Sequence, residues 1–253
     1  MIVLGFDTAT RATAVGLRMA DGSALQARDD PAPEGHPGHA TRLLGMADEL
    51  LARAGIGWAA LGRIAVGLGP GRFTGLRVGV ATARGLAQSL SVELVGVSTL
   101  RALAQPALEP GERTDRVLAV IDALRGEVFA AGYAAERDGA VREVALPEPV
   151  GPGRLGEAMR RASGEQGARW LAVGDGAVRY RCELRAAGWE VPDDASPLHV
   201  VDARAVCELA HRSPAAASYE ELLPDYRRRP DAEGVRGADT AGKPLTKLQG
   251  AAR

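Results

Sequence analysis

Lysine is almost missing from this chain: only Lys243 and Lys247 occur among its 31 basic residues, and the rest are arginine. Cysteine is scarce too. Cys182 and Cys207 are the only two, too few for a disulfide framework and in keeping with a reducing compartment. No run of about 18 apolar residues occurs, and the opening MIVLGFDTAT lacks the basic start and long apolar stretch of a signal peptide, so a cytoplasmic protein with no membrane partner is expected. Neither sign of charge dominates: the formal net charge is −1, which gives no global field for nucleic acid. Aromatics make up 4%. Abundant Ala, Gly and Arg do not amount to an RNA-binding signature, because the arginines are scattered. What is present is ample apolar material. With 253 residues, 46% hydrophobic and 25% charged, the chain can bury the core of one large domain or two small ones.

Period and punctuation divide the chain. Ile2 to Phe6 and Ala12 to Met19 read as a hairpin around a polar turn at Asp7 to Arg11. The stretch DDPAPEGHPG, 29–38, is a loop. A helix follows from about His39 to Ala54. A buried strand, Arg63 to Leu68, then runs through a glycine loop into a helix from about Thr74 to Leu90. The strand Val92 to Val97 and a helix capped at Ser98 or Thr99 complete a unit of about 110 residues. VLAVIDALRGEVFAAGYA, 117–134, repeats the hairpin, with Asp122 and Arg125 in the places of Asp7 and Arg11. AVGDGA, 172–177, repeats AVGLGPG, 65–71. Two units with the same order of parts suggest an internal duplication: a unit over 1–110, a second over 111–233 dividing near Glu109 to Asp115, and a disordered tail over 234–253. Two such units facing each other are the architecture of actin, sugar kinases and Hsp70 ATPases, the duplicated RNase H-like (ASKHA) α/β fold.

The loop GLGPGRFTGLRVG, 67–79, is the most informative segment. Amides at a helix N-terminus bind anions, and glycines let a phosphate approach the backbone. The loop has no Gly-Lys-Ser/Thr ending of a P-loop. It also lacks the third glycine of the dinucleotide fingerprint, where Arg72 stands. Thr74 reads as the helix N-cap, with Pro70 and the glycines shaping a tight turn. Structural turn and anion pocket both remain open, the pocket being formed by Asp7, Thr8, Gly69, Pro70, Gly71 and Thr74.

Gly69-Pro70-Gly71, then Phe73-Thr74-Gly75-Leu76-Arg77, preceded by the Asp7-Thr8-Ala9 hairpin, resembles the TsaB family, formerly YeaZ. Ile121-Asp122-Ala123-Leu124-Arg125-Gly126-Glu127-Val128 and the ending Pro224, Tyr226 and Arg227 are similar to it as well. The likeness spans residues 1 to about 233. Arg72 departs from it, since the family usually has a serine there. The resemblance implies a non-catalytic subunit of the bacterial machinery that attaches threonylcarbamoyl to the adenosine beside the tRNA anticodon. It also implies pairing with a TsaD-like catalytic paralogue that binds ATP and metal, a TsaE-like ATPase as a further partner, and only indirect dealings with tRNA. No cofactor and no catalytic residue are then expected in this chain. The alternative is an active small-molecule kinase or ATPase of the same fold.

The residues bear on this independently. The turn Ala9, Thr10, Arg11 is poor in groups that grip phosphate. His36 and His39 straddle Pro37 and Gly38, a poor chelate that reads as solvated loop, so no metal is expected. Asp7 and Asp122 are either a carboxylate pair or, as favoured, strand-ending acceptors for turn amides. Arg227 to Arg229 could touch tRNA phosphate, but a solvated segment is favoured. Ser98 and Thr99 have no histidine beside them, which weakens a hydrolase or peptidase reading. Finally, Leu44, Met46 and Leu51 lie off the stripe Leu43, Ala47, Leu50, Ala54, and Gly75, Gly79 and Ala83 form a ridge without bulk. Either this ridge packs on the chain's own sheet, or residues 39–54 and 75–90 expose an apolar surface for the paralogue or a second copy.

Overall fold

The protein, a computed structural model, is described for residues 1–32, 34–108, 114, 116–135, 141–146, 149–163 and 170–227. The tail from Gly234 and most of 109–115 therefore lie outside the described residues.

The first sheet starts with β1 (Val3–Asp7), β2 (Thr13–Arg18) and β3 (Ala24–Asp29), an antiparallel meander. The strand β3 is not apparent in the sequence, because ALQARD has too few apolar residues to stand out; it is a sheet edge with alternate residues exposed. After α1 (His39–Arg53), β4 (Arg63–Gly67) joins β1 in parallel, α2 (Phe73–Leu90) crosses back, and β5 (Glu93–Val97) joins β4 in parallel. The order is β3-β2-β1-β4-β5. The helix α3 (Thr99–Ala104) follows, its N-cap Ser98 accepting from the Arg101 amide.

The second sheet repeats this plan. The strands β6 (Arg116–Leu124), β7 (Glu127–Ala135) and β8 (Val141–Ala145) form the meander. Then come α4 (Pro152–Ser163), β9 (Leu171–Val173) parallel to β6, and the short helices α5 (Asp175–Arg179) and α6 (Arg181–Ala186). The order β8-β7-β6-β9 matches β3-β2-β1-β4. The counterpart of β5 has shrunk to a single parallel bridge, Leu171 to Glu190.

The last helix, α7 (Ala203–Arg212), returns to the first sheet, packing on β1 and β2. Its seat is written in the strands. Gly5 and Gly16 face each other across the β1–β2 ladder, and a Cβ at Gly16 would run into the backbone of Ala203, while one at Gly5 would lie 2.8 Å from Cys207 Sγ. The small residues Ala203, Cys207 and Ala210 complete the close approach. Buried Arg63 then closes the C-terminal end of α7, donating to the carbonyls of Ala210 and Ser213 and pairing with Glu93 at 2.6 Å.

Three apolar cores form among the described residues. One lies between the first sheet and α1 with α2, and another on the outer face of the second sheet. The third is shared: Val3, Ala65 and Val95 of the first sheet meet Val117, Ala119 and Ile121 of the second through α3 and α7. This is the duplicated actin-like fold, two RNase H-like units back to back around two helices.

Candidate functional site: the strand ends and the α1/α2 face

The parallel strands β1 and β4 end at the loop that resembles a phosphate cradle. Asp7, 1% exposed, uses both carboxylate oxygens there. Oδ1 accepts from the Ala9 amide at 2.8 Å, and Oδ2 accepts from the Thr99 hydroxyl at 2.6 Å. Thr99 Oγ1 in turn accepts from the Gly69 amide at 3.0 Å. Burial raises the Asp7 pKa above its ordinary value, against the lowering effect of the Thr99 and Ala9 hydrogen bonds. Gly67 has to be glycine because a Cβ would fall on Asp7 Oδ2.

The loop closes on the turn itself. The Arg72 amide donates to Ala9 O at 2.7 Å, and a Cβ at Gly71 would overlap the same carbonyl. Two amides of the loop, those of Gly69 and Arg72, are thus bonded within the chain. These bonds tie the loop to its own turn. Thr74 is not the N-cap: α2 begins at Phe73 after Arg72, and Thr74 is exposed in its first turn. The earlier start follows because the Arg72 carbonyl already accepts from the Leu76 amide.

The second unit repeats the pattern. Asp122 Oδ1 accepts from the Leu124 amide at 3.0 Å, the same two-residue turn as at Asp7, and its Oδ2 lies 3.0 Å from Arg179. The Asp122 amide donates to Asp175, whose pKa is raised by burial. Gly174, at φ 108°, donates to His199 Nδ1 at 3.2 Å, and His199 Nε2 faces Pro192 O at 3.2 Å, so the proton sits on Nε2. Asp7 and Asp122 each serve their own turn. Among the described residues no group of three His, Cys, Asp or Glu side chains could hold a metal ion.

Between the strand ends lies a cavity of about 140 Å³ lined by Thr10, Arg11, Ile121, Asp175, His199 and Val201. Pockets that hold drug-sized ligands run from about 300 Å³ upward. Arg11 holds the 30–38 loop nearby, donating to Ala32 O at 2.8 Å and Gly35 O at 3.0 Å. A larger open groove, about 710 Å³ and lined by Arg185, Glu190 and Asp193, lies beside α6 and contains none of the candidate residues. Being open and shallow, it offers no converging chemistry.

The two histidines part company. His36 is exposed, but His39 is buried as the first residue of α1 rather than solvated, with Nδ1 2.9 Å from Thr13 Oγ1. Burial lowers its pKa. Arg227 does not face solvent either: it donates to Leu146 O at 2.7 Å and pairs with Asp225 at 2.8 Å. Arg228 and Arg229 lie outside the described residues.

The α1/α2 surface differs from the sequence expectation in which residues it shows. Gly75, Gly79 and Ala83 are buried. A Cβ at Gly75 or Gly79 would overlap Thr8, whose hydroxyl donates to Gly75 O at 2.8 Å, so the ridge without bulk exists to seat the β1 turn. Met46 and Leu51 are buried as well, their wider arc being covered by both the sheet and α2. Of the six residues, only Leu44 is exposed, at 48%. The outward residues include the small Thr41, Gly45 and Ala52 with Leu44 on α1, and Thr74, Ala81 and Gly85 on α2, interspersed with exposed Arg42, Asp48, Glu49 and Arg53 on α1 and Phe73, Arg77 and Gln88 on α2. Nothing lies within 4 Å of a Cβ built on Gly45 or Gly85. These two glycines do not stand out in the sequence because periodicity alone does not tell an inward ridge from an outward one.

Comparison with known proteins agrees with this picture. A family model described as TsaD, tRNA N6-adenosine threonylcarbamoyltransferase, matches residues 34–150. The tRNA threonylcarbamoyladenosine biosynthesis protein TsaB of Escherichia coli K12 is 37% identical over 176 residues, 70% of this chain and 72% of that protein. The TsaB of Haemophilus influenzae is 43% identical over 91 residues, 36% of this chain and 38% of its own length. A Pseudomonas aeruginosa crystal structure, described as similar to peptidase YEAZ, superposes with a TM-score of 0.70 at 31% identity, over 90% of this chain and 99% of its own. YeaZ from Pseudomonas aeruginosa gives 0.70 at 28%, over 88% and 98%. With the paired strand-end aspartates, the Gly-Pro-Gly loop and the two-unit fold all in place, this chain belongs to the TsaB (YeaZ) family.

Proposed function

We propose that this protein is a non-catalytic scaffold of tRNA threonylcarbamoyladenosine biosynthesis, working in the cytoplasm, which pairs through the outward face of α1 and α2 with a TsaD-like catalytic protein. One observation carries the reading: Gly45 and Gly85 stand inside helices with open space at the Cβ position. Glycine inside a helix costs about 1 kcal/mol against alanine. At Gly75 and Gly79 the fold supplies the reason, since Thr8 fills the space. At Gly45 and Gly85 it supplies none, and close approach of helices from another chain accounts for both. Two antiparallel or parallel helices laid on this face make a four-helix bundle. In this reading the same face holds a second copy when the partner is absent, through an isologous contact.

The chain contributes no nucleotide or metal chemistry in this reading, and a TsaE-like ATPase and tRNA engage the assembly rather than this subunit alone. The supports are the internally bonded amides of Gly69 and Arg72 and the small cavity. The kinase alternative has no comparable support.

The test is Gly45→Arg. Because the site is open, the variant is expected to fold and melt as the wild type does, yet to lose co-purification with the TsaD-like protein of the same genome. Undiminished binding by the folded variant places the interface elsewhere.

A further inference from the structure

Residues 213–227 follow α7 with no regular secondary structure, yet they are bonded along their whole length. The Ala216 amide donates to Leu94 O at 2.8 Å and Tyr219 Oη to Val92 O at 3.0 Å, which covers the open edge of β5. Leu222 is buried over Gly96, where a Cβ would come within 2.8 Å of its methyl, and Arg84 of α2 donates to Glu220 O at 2.6 Å.

The last three described residues then cross between the units. The Asp225 amide donates to Leu68 O at 2.7 Å, just past β4 of the first sheet. Arg227 Nη1 donates to Leu146 O at 2.7 Å, just past β8 of the second. Between them Tyr226 packs on Phe73, the first residue of α2, with ring centroids 5.3 Å apart; Arg77 stacks 4.0 Å over Phe73 and reaches Tyr226 Oη at 3.2 Å. β4 runs parallel to β1, and β8 runs with β6 because both are antiparallel to β7. The crossing therefore lies at the strand ends that carry Asp7 and Asp122, on the same side as the cavity between the units.

We propose that residues 222–227 are a clasp that holds the two units at one spacing across the strand ends and carries that spacing to the first turn of α2, so that cleft opening and docking on the α1/α2 face are coupled. The coupling half rests on the docking face proposed above. Hinge closure of one unit against the other is a recurrent motion of two-unit α/β proteins. Here the shared core around α3 and α7 is the pivot and Arg227 spans the gap. Opening has to break the Arg227 contact or drag Tyr226 and Phe73 with it, and whatever binds α2 feels that motion reciprocally.

Cys182 is exposed and Cys207 buried, so one added cysteine, Ala40→Cys in the first turn of α1, gives a spin-label pair with one probe on each unit. Pulsed electron resonance on the full chain is expected to give one narrow distance distribution. Arg227→Ala, and separately Leu222→Ala, should broaden it and move it, while Arg161→Ala, which removes only an exposed pair on α4, should not. A narrow, unmoved distribution in cooperatively melting Arg227→Ala overturns the clasp. Titration of the unlabelled proteins with the TsaD-like partner is expected to show binding about tenfold weaker for Arg227→Ala, within the usual range of coupling between sites. Equal affinity overturns the coupling. A wild type that does not bind overturns the docking face and the coupling with it, and the distances still decide the clasp.

Discussion

Asp7 is a carboxylate in a place where a carboxylate is expensive. It is buried, and its pKa is raised by that burial even though Thr99 and Ala9 both donate to it. A folded-state pKa above the unfolded one means that the native chain holds the proton more tightly. Stability from this group is therefore greatest below 3.8, the unfolded value, and falls as pH rises toward the raised native value. Asp7→Asn removes the titration but keeps an acceptor for the Ala9 amide. The melting-temperature difference, variant minus wild type, is expected to grow from pH 4 to pH 7, superimposed on a constant offset from the reversed Thr99 bond. A difference that shrinks over that range contradicts the stated shift. The acid itself was visible in the sequence as a strand end; its bond to Thr99, 92 residues away, was not, because a threonine after a strand reads first as a helix cap.

Helices α1 and α2 were legible almost to the residue, since apolar spacing and flanking glycines mark them, but their facing was not. Gly75, Gly79 and Gly85 look alike in the sequence of α2. In the fold a Cβ at Gly79 would overlap Thr8 Oγ1, while one at Gly85 meets nothing. Gly79→Ala is expected to lower stability by about 1 to 3 kcal/mol, the range for overpacking a filled site. Gly85→Ala is expected to raise it by about 0.5 to 1 kcal/mol through helix propensity. Denaturant midpoints of the two variants check the signs, and equal shifts contradict the assignment of inner and outer faces. The polar β3 was missed for a related reason: an edge strand with alternate residues exposed carries little apolar signal, and only pairing with β2 makes it a strand.

At the scale of the whole molecule, the repeat seen in the sequence is a repeat in the structure, down to matching turns at Asp7 and Asp122. The units are not independent for all that. The face of the first sheet bearing Gly5 and Gly16 is covered by α7, which comes from the far end of the chain. A fragment of residues 1–110 therefore leaves this groove and the shared core open to water. It is expected to lack a cooperative melt by circular dichroism and to bind a hydrophobic dye, and the full chain is expected to melt in one transition. A fragment that melts cooperatively on its own shows that α7 is dispensable to the first unit.

The sequence by itself determined the types of the apolar strands and of helices α1 and α2, the doubled plan, the glycine loop and the family resemblance, because each rests on short-range periodicity or on residues adjacent in the chain. Only the tertiary structure decided that the loop bonds to its own turn, that His39 and Arg227 point inward, and that the glycines of α1 and α2 with open space at the Cβ position are Gly45 and Gly85. The physical reason is common to all of these. Which way a side chain faces is set by what packs against it, and here the packing partners are Thr8 on α2, Thr13 on His39 and Leu146 on Arg227, each distant in sequence and close only once the two sheets have formed.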